Sequence, residues 1–225
     1  MPVNNTEPLS VYRAGPGYAR CLAEMIVMAS RGHNRRGYLD RLLDMPEERI
    51  TDVLAALAMH PGQLWGRIDN AFVALVDGVC SGMATAREAA SMGEFPFSRE
   101  AFEEVGARLK LAPEAVAQVL ERQDELAVRF EASRTRFAPG TWLVEYVAVR
   151  RENRAGGVAR GLMERIAAEA AAAGGKGLEL FCEMGNVRAE RLYASLGFRP
   201  VWEYRYPGEL AGQGQGIRRL RRELA

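Results

Sequence analysis

The run TWLVEYVAV, residues 141–149, is almost unbroken in β-forming residues, and after RRENRAGG it gives way to VARGLMERIAAEAAA, apolar at helical spacing. A strand that feeds a helix through a glycine pair constrains the chain more than any other feature. The first amides of a helix have no carbonyl one turn back, and the aligned peptide dipoles leave partial positive charge there. That end suits an anion. Gly156 and Gly157 let a bulky phosphate approach the backbone, while Arg154 and Arg160 add full charges on either side. The stretch contains no G-x-x-x-x-G-K-[ST], and RAGGVARG is not G-x-G-x-x-G, which disfavours an NTPase or a dinucleotide oxidoreductase. On these residues alone, an ordinary strand-to-helix turn and an anion cradle both stand.

The rest of the chain is read around this turn. LSVYRAG (9–15) is a weak first strand, and a helix is expected over about 17–30. A second helical segment covers about 38–59, with a break at Pro46. NAFVALVDGVCSGMATA (70–86) reads as two strands about the Asp77-Gly78 turn. Residues 88–140 read as a helical insertion, with Ser98 as a cap and Pro113 opening the longer helix. After 141–149 come a helix over about 157–173, a strand GLELFCEM (177–184), a short helix NVRAERLYASLG (186–197) and a strand FRPVWEYRYPG (198–208). This alternation argues for a mixed α/β sheet with helices packed on it, in one domain spanning 1–225.

Composition excludes several classes. Thirty basic against 29 acidic residues give a net charge of +1 and no general attraction to nucleic acid or anionic lipid. Cys21, Cys80 and Cys182, with His33 and His60, lack metal-ligand spacing, so no metal site is expected. No segment approaches the roughly 20 apolar residues of a membrane span. The expectation is a soluble protein of a reducing compartment, the cytoplasm.

Two patterns then carry a resemblance. Arg154, Gly157 and Ala159 fit R/Q-x-x-G-x-G/A directly after a hydrophobic strand, and NVRAERLYASLGF (186–198) fits N-x-x-A-x-x-L-Y-x-x-x-G-F one strand and one helix later. Here the chain resembles the GNAT superfamily of N-acetyltransferases, specifically over about Trp142–Tyr206 and by element order alone over 9–86. The resemblance implies a mostly antiparallel central sheet flanked by helices, with an acetyl-CoA-binding core at about 141–206. It implies that the amides of Ala155, Gly156, Gly157, Val158, Ala159 and Arg160 hold the coenzyme A pyrophosphate, and that the backbone of Val147, Ala148 and Val149 pairs with the pantetheine arm. The Val147 amide would face the thioester oxygen, where charge builds up during attack. Ala159 replaces a glycine common at its position.

By the same resemblance, Asn186 bonds the pantetheine or its water, although on its own chemistry it is simply a good helix cap. Tyr193 stands where the family carries the tyrosine that assists the departing thiolate. A phenol with pKa of about 10 gives its proton uphill to a thiolate of about 8.5, so a hydrogen bond to sulfur serves as well as transfer. For the base, Glu145 is expected on the same side of the pleat as Val147, and Glu183 at the end of the next strand is a second candidate. Cys182 reads as a buried structural thiol.

Between Glu94 and Glu131 stand nine acids and five bases, a balance of −4 that favours a cationic amine if this segment is a lid; ordinary i, i+4 pairs such as Glu104–Arg108 and Glu125–Arg129 are the competing explanation. His33 and Tyr38 lie where acceptor contacts are expected. GIRRLRRELA (216–225) reads as an edge strand whose charges discourage pairing. The implied function is transfer of an acetyl group from acetyl-CoA to a primary amine, most simply on a small molecule, with a homodimer left open. The competing readings are a non-catalytic acyl-CoA sensor of the same fold and a protein or peptide N-acetyltransferase.

Overall fold

A computed structural model describes residues 9–89, 95–131, 137–206 and 215–224, the side chains of 128–131 excepted. Of the expectations above, those on Glu94, Arg129 and Glu131 fall outside the described residues and side chains. The chain runs β1 (Ser10–Arg13), α1 (Ala19–Arg31), α2 (Tyr38–Leu43), α3 (Glu47–Ala58), β2 (Ala71–Val76), β3 (Val79–Glu88), α4 (Arg99–Arg108), α5 (Pro113–Glu131), β4 (Thr141–Val149), α6 (Val158–Ala172), β5 (Gly177–Glu183), α7 (Val187–Ser195), β6 (Arg199–Arg205) and β7 (Gly216–Glu223).

The strands form one seven-stranded sheet in the order β1-β2-β3-β4-β5-β7-β6. Only β4 and β5 run parallel; the other neighbours are antiparallel. This is the mixed, mostly antiparallel sheet that the sequence predicts. The β2–β3 hairpin turns on Asp77 (φ 52°) and Gly78 (φ 72°), the left-handed pair that a two-residue turn requires.

Each face of the sheet has its own core. On one side, α1 and α3 bury Leu22, Met25, Ile50 and Val53 against Val73 and Met83. On the other, α6 buries Leu162, Met163 and Ile166 completely against Phe72, Ala84 and Val144. Gly82 permits that close fit, because a Cβ there would lie 2.9 Å from both the Ala148 carbonyl oxygen and a Val158 methyl. Truncating Leu162 to alanine would cost about 2–5 kcal/mol.

Two expectations are corrected. β7 is not an edge strand: it lies between β5 and β6. Three of its four arginines are met there by carboxylates, Arg218 pairing with Glu190 and Glu203, and Arg219 and Arg221 with the buried Glu179. Second, Cys21 on α1 and Cys80 on β3 form a disulfide, which a reducing-compartment reading does not anticipate. In the connection between β3 and β4, Glu104 meets His60 at 3.0 Å rather than Arg108, and Arg99 meets Asp124 at 2.9 Å. No helix among the described residues is long and apolar enough to cross a membrane.

Candidate active site

The sheet opens where the sequence places its glycine turn. β4 and β5 pair from Thr141↔Gly177 to Val144↔Leu180 and no further, although β4 continues to Val149 and β5 to Glu183. Beyond Val144, the edge of β4 that faces β5 therefore has no strand partner among the described residues. A bulge helps to turn it: Thr85 opposes Glu145 and Met83 opposes Ala148, so three steps on β4 match two on β3, and Tyr146 takes a left-handed φ of 53°.

That bulge corrects the expected placement of Glu145. The extra residue breaks the alternation, so Tyr146 packs with the α1 side while Val147 packs with the α6 and α7 side. Glu145 does not share the side of Val147. Its carboxylate is buried and accepts from Arg87 Nε at 3.0 Å, Thr85 Oγ1 at 3.1 Å and the Gly66 amide at 3.3 Å. Burial pushes its pKa up and Arg87 pulls it down. A carboxylate held by three donors ties β3, β4 and the loop before β2 together, and it lacks the freedom of a base that must take a substrate proton.

At the end of β4, the chain forms a cradle. Ala155 (φ 72°) and Gly157 (φ 79°) are both left-handed, and Gly157 caps α6. The helical ladder begins with the Gly161 amide donating to the Gly157 carbonyl at 2.9 Å, leaving the amides of Val158, Ala159 and Arg160 without helical partners. A Cβ on Gly157 would meet nothing within 4 Å, so open space lies in front of it. Arg154 Nε donates to the Val149 carbonyl at 3.2 Å, and Arg160 reaches Ser195 Oγ on α7 at 2.7 Å. An open concavity of amides flanked by two guanidinium groups fits a pyrophosphate.

One cavity of about 880 Å³ runs from this turn along the opened strands. Val147, Ala148, Val149 and every residue of 154–160 except Gly156 line it, as do Glu145, Asn186 and Tyr193. The sequence expectations are thus brought to one place. Asn186 caps α7, its side chain accepting from the Ala189 amide at 3.3 Å. Tyr193 is buried, edge-on to Phe198 at 5.7 Å, and its hydroxyl has no hydrogen-bond partner among the described residues. Burial pushes its pKa well up, so the phenol stays protonated. Cys182 is a free, buried thiol, and burial pushes its pKa up to about 12, which disfavours the thiolate form.

Several lining residues were not singled out from the sequence. Trp65, Phe95, Phe181, Tyr204 and Tyr206 add aromatic walls, and Leu126 and Ala127 of α5 line the cavity as well. The alternation Trp202, Tyr204, Tyr206 was a legible signal for one such wall. Trp65 and Phe95 lie in irregular segments and carried none.

A sheet split between two parallel strands, with an amide-lined helix start at the split, is the architecture of acyltransferases that take their acyl group from coenzyme A. The chain belongs to the acetyltransferase (GNAT) family, whose model matches residues 39–198. No curated protein sequence matches it. Solved structures share the fold. A crystal structure of an acetyltransferase is 20% identical, covering 96% of this chain and 100% of its own, with TM-score 0.65. The Salmonella typhimurium acetyltransferase yncA with acetyl-CoA is 16% identical, covering 97% and 95%, at 0.56. The Escherichia coli ribosomal-protein-S18-alanine N-acetyltransferase is 14% identical, with the same coverages, at 0.53.

Proposed function

We propose that this chain transfers the acetyl group of acetyl-CoA to a primary amine of a small-molecule acceptor, the amine attacking the thioester directly. The observation that carries this reading is the continuity of one cavity from the Gly157 turn, past the unpaired edge of β4, to the phenol of Tyr193. Acetyl-CoA supplies the activated acyl group. The amides of Gly157, Val158, Ala159 and Arg160 hold its pyrophosphate, and the free edge at Val147 to Val149 aligns the pantetheine arm. The Val147 amide donates to the thioester oxygen as negative charge gathers there. Asn186, which lines the same cavity, bonds the arm or its water.

Tyr193 meets the departing sulfur. A phenol whose pKa is raised by burial is a weak acid, so it serves by donating a hydrogen bond to the thiolate. Glu145 is a positioning residue: with Arg87 and Thr85 it fixes the bulge that turns the β4 edge into the cleft. The β3–β4 connection walls the cavity with Phe95, Leu126 and Ala127, which favours a small acceptor over a protein segment that needs an open groove. The free Tyr193 hydroxyl favours an enzyme over an acyl-CoA sensor.

The decisive test compares Gly157→Glu with Gly157→Ala by calorimetry with acetyl-CoA. Both carry the strain of a side chain at φ 79°, but only glutamate brings a negative charge to the cradle. We expect Gly157→Glu to abolish binding and Gly157→Ala to weaken it modestly. Equal affinity in the two variants would remove the pyrophosphate assignment.

A further inference from the structure

The acceptor half of the cavity has a distinct chemistry. On one side, Phe95 lies edge-on to Trp65 at 4.7 Å and tilted against Tyr38 at 5.5 Å, and the hydroxyls of Tyr38 and Tyr146 meet at 3.0 Å. These rings come from α2, the loop before β2, the β3–β4 connection and the bulge of β4. From β6, Tyr204 stacks on Trp202 at 6.1 Å, and Tyr206 lies edge-on to Tyr204 at 6.0 Å. Tyr204 and Tyr206 both line the cavity.

Glu183, at the end of β5, lines the same cavity as these rings. Its side chain retains 25% of its exposure, and both of its close polar contacts fall on one oxygen: Asn34 Nδ2 at 3.0 Å and His33 Nδ1 at 3.6 Å reach Oε2. Oε1 has no partner among the described residues. The other carboxylate in the lining, Glu145, is consumed by Arg87, Thr85 and Gly66. Arg41 also lines the cavity, and its guanidinium donates to the Arg36 carbonyl at 3.1 Å.

From this juxtaposition we infer that the acceptor is a primary amine carried on an aromatic body, its ammonium bound at Glu183 and its ring held between the two aromatic walls. The inference rests on the acetyltransferase reading and names the substrate class for it. One free carboxylate oxygen matches one ammonium; ring edges and faces attract an aromatic group, and ring faces attract the adjacent cation. A polyamine fits poorly, because Arg41 opposes a second positive charge and the walls offer it no second carboxylate. Arg41 instead suits a carboxylate or hydroxyl substituent on the same aromatic body.

Glu183 is then a catalytic residue. Its carboxylate takes one proton from the bound ammonium, and the freed nitrogen lone pair forms the C–N bond as the C–S bond of the thioester breaks. The sulfur departs as a thiolate and takes the second proton that the nitrogen gives up, and the proton held by Glu183 is released to water, which restores the carboxylate. The products are the aryl-bearing amide and free coenzyme A.

Two measurements on the full-length protein test this. The first is thiol release at saturating acetyl-CoA with 2-phenylethylamine, phenylalanine, hexylamine, putrescine and a short peptide. The second is calorimetric binding of 2-phenylethylamine without acetyl-CoA, for the native protein, Glu183→Gln and Tyr204→Ala. The expected result is a kcat/KM about tenfold or more higher for an aromatic amine than for hexylamine, and binding weakened about tenfold in each variant. Equal or better turnover of hexylamine, putrescine or the peptide overturns the inference while leaving the acetyltransferase reading intact. So does unchanged binding in both variants, or no binding to the native protein. Failure to bind acetyl-CoA, with no thiol release from any amine, sinks the acetyltransferase reading itself.

Discussion

Tyr193 and Glu145 show how far a residue's role depends on what surrounds it. Tyr193 sits at a motif position legible in NVRAERLYASLGF, and its hydroxyl has no hydrogen-bond partner among the described residues. Replacing it with phenylalanine removes one hydrogen bond to a developing thiolate, which predicts a fall in kcat of about 10- to 100-fold with little change in acetyl-CoA affinity. Full turnover by Tyr193→Phe would exclude the role. The sign of its pH dependence also follows. A raised phenol pKa keeps the protonated form to higher pH than an ordinary tyrosine, so the native pH profile of kcat should show no basic limb from Tyr193 below about pH 10. Glu145 was read correctly as a strand residue and wrongly as a neighbour of Val147. Alternation along TWLVEYVAV is a local rule, whereas the bulge at Tyr146 arises from pairing with β3, some sixty positions earlier.

At the scale of elements, α2 shows how polar groups fix a short helix that propensity alone would not hold. Asp40 accepts from the Gly37 amide at 2.7 Å and from Arg31 Nη2 and Nε at 2.6 and 2.9 Å, tying the start of α2 to the end of α1. Arg31 holds the Asp40 carboxyl below its usual range. Because the folded pKa is depressed, the stabilisation is fully present above the unfolded value of about 3.9 and is lost as pH falls through the lower, folded pKa. Asp40→Ala should cost about 1–3 kcal/mol near neutral pH, read by urea denaturation, and the loss should shrink towards pH 3. An undiminished difference at low pH would mean that packing, not charge, is responsible. Because α2 carries Tyr38 and Arg41 into the cavity, the same variant should also raise KM for the amine.

Across the whole molecule, the sheet is held by contacts between residues far apart in sequence. Glu179 on β5 receives Arg219 and Arg221 of β7 and is nearly inaccessible to water. Glu179→Ala strands two arginines in the sheet and should cost about 3–5 kcal/mol; a loss below 1 kcal/mol would show that the cluster is well hydrated. The Cys21–Cys80 disulfide closes a separation of 59 residues between α1 and β3. Unfolding without reductant should therefore expose one titratable thiol, Cys182, rather than three. Reducing the bridge should lower stability by about 2–4 kcal/mol. Three thiols on unfolding would exclude the bridge.

The sequence by itself determined which elements form and where the glycine turn before α6 lies. The periods of 2 and 3.6, the Asp77-Gly78 turn, the caps at Ser98 and Asn186, and the glycines before α6 all act within a few residues of one another. Local chemistry sufficed for them. Only the tertiary structure decided the rest: the splay of β4 from β5, the place of β7 inside the sheet, the engagement of Glu145, and the gathering of aromatic rings and Glu183 in one cavity. Those depend on pairings and contacts across tens to hundreds of positions, set by which buried charge finds a partner and which faces can be covered. No local pattern encodes them.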